Sequence, residues 1–164
     1  MLFMPKKYSN YQAIFTAPFA TLGLKLNQQS ICELDFIFED VPRSTFQNEY
    51  AEKIAEQISC YIENPLYQLD LSVTPEGTKF QKSVWRQMRK IPIGSCLTYS
   101  EVAEELQSGP RAVGNACRKN PIPLIIPCHR IVAKNGLGGF AGETSGQLTE
   151  IKRWLLDHES CKIN

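Results

Sequence analysis

Between Pro121 and Val132 the chain reads Pro-Ile-Pro-Leu-Ile-Ile-Pro-Cys-His-Arg-Ile-Val, and no other stretch restricts the fold as much. Prolines are excluded from a helix interior, because each lacks an amide hydrogen and fixes φ. Between them stand only Ile and Leu, so the run predicts a buried, extended segment. A thiol, an imidazole and a guanidinium then follow one another inside it. A lone buried Cys is ordinary, since free cysteine packs as a small hydrophobe. His129 and Arg130 beside it are not, because polar groups in such a place need a cavity, a partner or a ligand.

A chain of 164 residues has room for one large domain or two small ones. At 43% hydrophobic and 21% charged residues, its composition is that of a globular protein rather than a disordered one. The net charge of +1 hides an asymmetry: residues 1–74 carry 5 Lys or Arg against 9 Asp or Glu, and residues 75–164 carry 13 against 8. A nucleic-acid contact on the second half and a solvated charged face both account for that pattern. Turn residues cluster at Ser72 to Gly77, where the charge balance changes sign, so the boundary is placed there. The six cysteines include no Cys-x-x-Cys pair. Residues 1–9 lack the apolar core of a secretory leader, so reduced thiols in a cytoplasmic protein are expected. Two histidines, His129 and His158, are too few for a Cys/His zinc site of ordinary spacing. No apolar run approaches a membrane span.

In the first half, residues 11–16, 20–27 and 31–38 read as strands, with Leu22, Leu24 and Leu26 alternating. Ser44 to Gln47 matches a capping box before a helical pattern of Phe46, Tyr50, Ile54, Ile58 and Tyr61. A short strand through Leu69, Leu71 and Val73 follows. The outline is a small antiparallel sheet covered by one helix. Asp35, Glu39 and Asp40 read as solvated carboxylates.

In the second half, Thr78 and Gln81 form a capping box that opens a helix to about residue 89, with a basic face of Lys79, Lys82, Arg86, Arg89 and Lys90. Thr98 to Glu101 opens a short helix, and Pro110 a second one through Arg118. Two short helices joined by Gln107-Ser108-Gly109 fit a helix-turn-helix. A packing helix with charged ends has the same pattern. Thr144 to Gln147 reads as a cap for a last helix, whose buried face is Leu148, Ile151, Trp154 and Leu155. Glu159 at its end reads by itself as solvated.

Pro127-Cys128-His129-Arg130, with Asn120-Pro121 before it and Gly138-Gly139-Phe140 after it, resembles the O6-alkylguanine-DNA alkyltransferases, and the resemblance runs over about residues 78–159. It implies a mixed α/β fold. A ribonuclease H-like domain of antiparallel sheet and helix spans residues 1–74. A mostly helical, winged-helix-like domain carrying the helix-turn-helix spans residues 75–164. It implies DNA repair by direct reversal: a nucleotide is flipped out, and its alkyl group passes irreversibly from O6 of guanine to Cys128, once per molecule. O4 of thymine is a second candidate substrate. The implied partner is double-stranded DNA containing O6-alkylguanine, met in the minor groove by a monomer, with no cofactor, metal or membrane.

By matching motif, Cys128 is the nucleophile and His129 the base, with Glu159 behind it in a relay that includes a water. Tyr99 meets the ring nitrogen and supplies a proton. Asn120 ties the recognition helix to the active-site segment. Arg111 replaces the extruded nucleotide, while Ala112, Gly114 and Arg118 face the DNA. Phe140 and Ala141 border the base, with the Ala141 N–H on the guanine oxygen. The carbonyls of Cys128 and Ile131 read the exocyclic amine.

Several features bear on that reading. A thiolate suits attack on a saturated carbon. Neighbours on a strand face opposite ways, so Cys128 and His129 need a sharp turn or a water between them. Ala141 stands where many relatives have a serine, and the turn before Arg111 is shorter than in several. An alkyltransferase-like binder that flags lesions is the alternative, but such proteins lack the cysteine. A Cys-His hydrolase without a DNA role is a second alternative, and the context of Tyr99, Arg111 and Gly-Gly-Phe speaks against it.

Overall fold

The computed structural model describes residues 6–41 and 44–163. Residues 1–5, part of the segment read for a leader, lie outside the described residues. Contacts group the chain into two compact units, Met1–Pro75 and Glu76–Asn164. No described helix is long and apolar enough to cross a membrane.

In the first unit, β1 (Ala13–Thr16), β2 (Thr21–Asn27), β3 (Ser30–Ile37) and β4 (Thr45–Phe46) form an antiparallel sheet in the order β3-β2-β1-β4. Helix α1 (Glu49–Glu63) buries Ala51, Ile54, Ala55, Ile58 and Tyr61, spaced as one helical face. Two readings are corrected here. The helix is capped not by a Ser44/Gln47 box but by Asn48, whose side chain accepts from the Ala51 N–H at 2.8 Å. Gln47 instead donates to the Tyr11 carbonyl at 2.9 Å, and Thr45-Phe46 pairs with β1 as a strand. The stretch through Val73 is a single parallel bridge to Ile31 rather than a strand, because Ile31 alone takes both bonds, with Ser72 and Thr74.

In the second unit, α2 (Lys79–Lys90) opens on the Thr78/Gln81 capping box and buries Val84, Trp85 and Met88. A β-carbon at Gly77 would lie 2.5 Å from the Trp85 ring, so the indole leaves room there only for glycine. Strand β5 (Leu97–Thr98) pairs in parallel with β6 (Ile131–Val132). Thr98 also caps α3 (Tyr99–Glu105) in a box with Glu101. Helix α4 (Pro110–Arg118) starts with proline in its first turn, after Gly109. The α3–turn–α4 pair is the expected helix-turn-helix.

The last helix, α5 (Gln147–His158), follows Gly146, whose φ is 89°, with no side-chain cap, so Thr144 does not cap it. Ile151 and Leu155 are buried as expected, but Lys152 and Leu156 complete the buried face in place of Leu148 and Trp154, and Glu159 is buried just past the helix end. Cys96 and Cys161 are joined by a disulfide, which corrects the reading of six reduced thiols; 65 residues separate them, so only the tertiary fold brings them together.

Trp85 anchors α4: its indole N–H donates to the Ala116 carbonyl at 2.8 Å in a buried setting. Trp85→Phe removes that donor and leaves a buried carbonyl without it, which costs about 1–3 kcal/mol. Urea unfolding checks this, and an unchanged midpoint would refute the anchoring role.

Candidate active site

The run from Pro121 is buried as expected, Ile122 through His129 without exception, but it is not extended. The Ile126 N–H donates to the Ile122 carbonyl at 2.9 Å, that of Cys128 to Ile126 at 2.8 Å, and that of Arg130 to Pro127 at 3.0 Å. Leu124 is left-handed, at φ 73°. Proline fixes a φ that suits turns as well as strands, and an unbroken apolar run has no alternation to decide between them. Cys128 to Arg130 form one 3-10 turn. Such a turn advances about 120° per residue, so Cys128 and His129 are not forced onto opposite faces as on a strand.

His129 is fully buried, and its Nε2 lies 3.0 Å from Glu159 Oε1. Glu159 is itself buried and also receives the Arg130 fork, Nε to Oε2 at 2.9 Å and Nη2 to Oε1 at 2.8 Å. Arg130 Nη1 donates to the Ile91 carbonyl at 2.7 Å. Burial pushes the His129 pKa down, outweighing the pull of Glu159, and the positive charges of Arg130 and Lys152 act the same way. A neutral imidazole beside a carboxylate donates from Nε2, which leaves the lone pair on Nδ1. Nδ1 is buried and has no hydrogen-bond partner among the described residues.

Burial likewise pushes the Cys128 thiol up, against the Asn120 side chain, the Lys152 charge and the backbone of residues 128 and 129. At rest the sulfur is a thiol. Asn120 also donates to the Ile126 carbonyl at 2.9 Å and accepts from the Ile122 N–H at 3.0 Å, which fixes the end of α4 to the active-site segment.

Cys128 opens into a cavity of about 370 Å³, shared with Tyr99, Arg111, Gly114, Cys117, Phe140 and Ala141. Burial also raises the Tyr99 phenol, which stays protonated. Phe140 and Glu143 exchange both backbone hydrogen bonds, at 2.8 and 2.9 Å, around Ala141 and Gly142. Both turn residues have positive φ, 48° and 90°, as a two-residue hairpin turn requires. The Ala141 N–H takes no part in that exchange.

The candidate residues therefore sort by place. Cys128, Tyr99, Arg111, Gly114, Arg118, Phe140 and Ala141 border the cavity. His129, Glu159 and Asn120 stand behind it. Ala112 faces a neighbouring groove with Phe80 and Lys119. The Ile131 carbonyl accepts from Lys152 Nζ at 2.6 Å. Three contributors went unread: Arg130 as the clamp on Glu159, Cys117 as a second thiol on the cavity wall, and Lys152. The four-residue spacing of Leu148, Lys152 and Leu156 was the available signal that this lysine lies on an apolar line.

Comparison with known proteins agrees with this geometry. The profile of the 6-O-methylguanine DNA methyltransferase DNA-binding domain matches residues 79–161. A methylated-DNA–protein-cysteine methyltransferase of Methanosarcina acetivorans is 38% identical over 92% of this chain and 99% of its own. One from Sulfolobus acidocaldarius is 34% identical, over 92% and 93% respectively. Among solved structures, a variant of the Mycobacterium tuberculosis O6-methylguanine methyltransferase superposes with a TM-score of 0.77 at 26% identity, covering 92% of this chain and 93% of that one. The Mycobacterium tuberculosis OGT in complex with DNA gives 0.72 at 28%, covering 90% and 91%. The chain belongs to the O6-methylguanine DNA methyltransferase family.

Proposed function

We propose that this chain reverses alkylation in double-stranded DNA by taking the alkyl group of O6-alkylguanine onto Cys128, irreversibly and once per molecule. DNA repair by direct reversal and transfer to a protein cysteine are the activity of the family. The observation that carries the residue assignment is the pairing of a neutral thiol at the cavity with a neutral imidazole whose Nε2 is committed to Glu159.

The steps follow from those protonation states. The flipped nucleotide enters the cavity beside Cys128. A water carries the Cys128 proton to His129 Nδ1, and Glu159 steadies the imidazolium formed. The sulfur lone pair attacks the alkyl carbon and the C–O bond electrons pass to O6. Tyr99, protonated at rest, supplies the proton that the departing base takes up, and the Ala141 N–H receives the guanine oxygen. Phe140 borders the base, and the Cys128 carbonyl accepts from its exocyclic amine, whereas the Ile131 carbonyl, expected to share that role, is held by Lys152. A thioether is not readily hydrolysed, so no step regenerates the thiol.

Residues 75–164 carry DNA binding and transfer, with α4 in the minor groove. A β-carbon at Gly114 would meet nothing within 4 Å, so the fold itself does not demand glycine there. What it provides is a low outer surface between Arg111 and Arg118, suited to a groove about 6 Å wide. Ala112 extends that surface, and Arg111 fills the gap left in the stack. The same reading has a monomer acting in the cytoplasm. The lesion-flagging alternative is not favoured, since Cys128 is present.

Intact mass after incubation with an O6-methylguanine duplex is expected to rise by one methyl at Cys128, saturating at one per chain, and Cys128→Ser is expected to abolish it. Unchanged mass with tight binding would instead support lesion flagging. Gly114→Leu is expected to leave the melting temperature level or slightly raised while weakening duplex binding at least tenfold; undiminished binding would remove α4 from the groove. His129 has a folded pKa below its unfolded value of about 6.5, so the unfolded chain binds more protons in acid. Its contribution to stability is complete above that value and is lost as pH falls through the folded pKa. Urea midpoints between pH 7.5 and 5 are expected to fall more steeply in the wild type than in His129→Gln.

A further inference from the structure

The fold buries a lysine completely within the second unit, and the steps above do not use it. Lys152 on α5 is fully buried, and its Nζ donates to the Ile131 carbonyl at 2.6 Å and the Gly139 carbonyl at 2.9 Å. These two carbonyls belong to different segments around the site. Ile131 begins β6 directly after the Cys128–Arg130 turn, whereas Gly139 leads into the Phe140–Glu143 hairpin on the cavity wall. An uncompensated ammonium in such a place is costly, and two carbonyls supply partial charges only.

We propose that Lys152 is a positioning residue for alkyl transfer, clipping β6 to the Gly139 wall and supplying the positive potential that favours the Cys128 thiolate as it forms. The proposal rests on the reading of Cys128 as the alkyl acceptor. Burial pulls the Lys152 pKa down to about 8, and a thiolate at Cys128 or Cys117, once formed, pulls it the other way. At neutral pH the group therefore retains its charge. The other titratable and charged groups around this centre are Tyr99 on α3, Cys117 on α4, His129 and Arg130 in the turn and Glu159 after α5, with Arg111, Arg118 and Glu143 on the cavity wall. Glu159 is already committed to Arg130 and His129, and Arg130 to Glu159 and Ile91. Among the charged groups that act on Cys128, Lys152 is the one that lowers its pKa.

Charge and tethering separate in three variants. Lys152→Gln keeps N–H donors without charge, Lys152→Arg keeps charge, and Lys152→Met removes both. The direct readout is the rate at which Cys128 is carbamidomethylated by iodoacetamide, mapped by mass spectrometry from pH 6 to 10 without DNA. Transfer from an O6-methylguanine duplex is measured alongside. Met and Gln are expected to move the rise in Cys128 reactivity to higher pH, with about tenfold lower rates at pH 7.5, the size of a one-unit change in ionisation. Arg is expected to restore the wild-type profile. If Met does not fold, the comparison of Gln with Arg still decides. A Gln profile matching wild type, or slower rates with no pH displacement in any variant, would overturn the electrostatic role. Normal Cys128 ionisation with no transfer from the duplex would count against the acceptor reading instead.

Discussion

A carboxylate with almost no exposure, Glu159, sits where α5 ends, held by a guanidinium on one side and an imidazole on the other. Removing one partner from such a buried arrangement costs about 3–5 kcal/mol, because the charge left behind has no water to turn to. The same guanidinium reaches the Ile91 carbonyl just after α2. Three separate pieces of chain, the end of α2, the turn at Cys128 and the end of α5, thus meet at Arg130. Orientation is one consequence. Neutrality is the other: burial outweighs the pull of Glu159 on His129, the Arg130 charge adds to that effect, and the imidazole stays a base.

That arrangement matches a nucleophile kept as a thiol. A permanently ionised cysteine in an open cavity would react with whatever electrophile or oxidant arrived. Here desolvation holds the proton on sulfur, and the lone pair on the next residue's Nδ1 is left without a partner among the described residues, its tautomer set by Glu159 at Nε2. Ionisation is then confined to the moment when a proton path and an alkyl carbon are both in place. For a protein that reacts once, the cost of a wrong encounter is the whole molecule, so a latent nucleophile serves it better than a fast one.

How far this was legible depends on the kind of signal. Capping boxes are legible where the polar pair has no competing partner, as with Thr78/Gln81, and Thr98 to Glu101 is legible as a helix start, its box appearing in the structure. They were misread where it had one or where glycine intervened: Gln47 turned to the Tyr11 carbonyl, and Gly146 took the cap position from Thr144. The proline run gave away its burial but not its path, because φ near −65° is shared by turns and extended chain. Cys128 and His129 stand out by themselves as polar groups in an apolar run, whereas their roles, and Glu159 altogether, are legible only through the family pattern, since a Glu at a helix end reads alone as solvated. Arg130 and Lys152 stayed hidden, since long cationic side chains are usually exposed and their partners here are distant in sequence or are backbone carbonyls.

The wall opposite α4 is built by a different rule. Gly138 has φ of 73°, and a β-carbon there would lie 3.1 Å from the Tyr99 ring and hydroxyl. The tyrosine and the loop therefore fix one another, and no larger residue fits at 138 without moving the phenol. Ala141 holds a left-handed conformation that costs alanine about 1 kcal/mol, offset by the paired hydrogen bonds of the hairpin around it. What this conformation delivers is a backbone N–H left out of the hairpin pair, not a side chain. A wall that works through its main chain tolerates a change of side chain better than one that works through hydroxyls. On the proposed role of the Ala141 N–H, alanine in place of a serine then costs no oxygen contact, provided the turn keeps its left-handed pair.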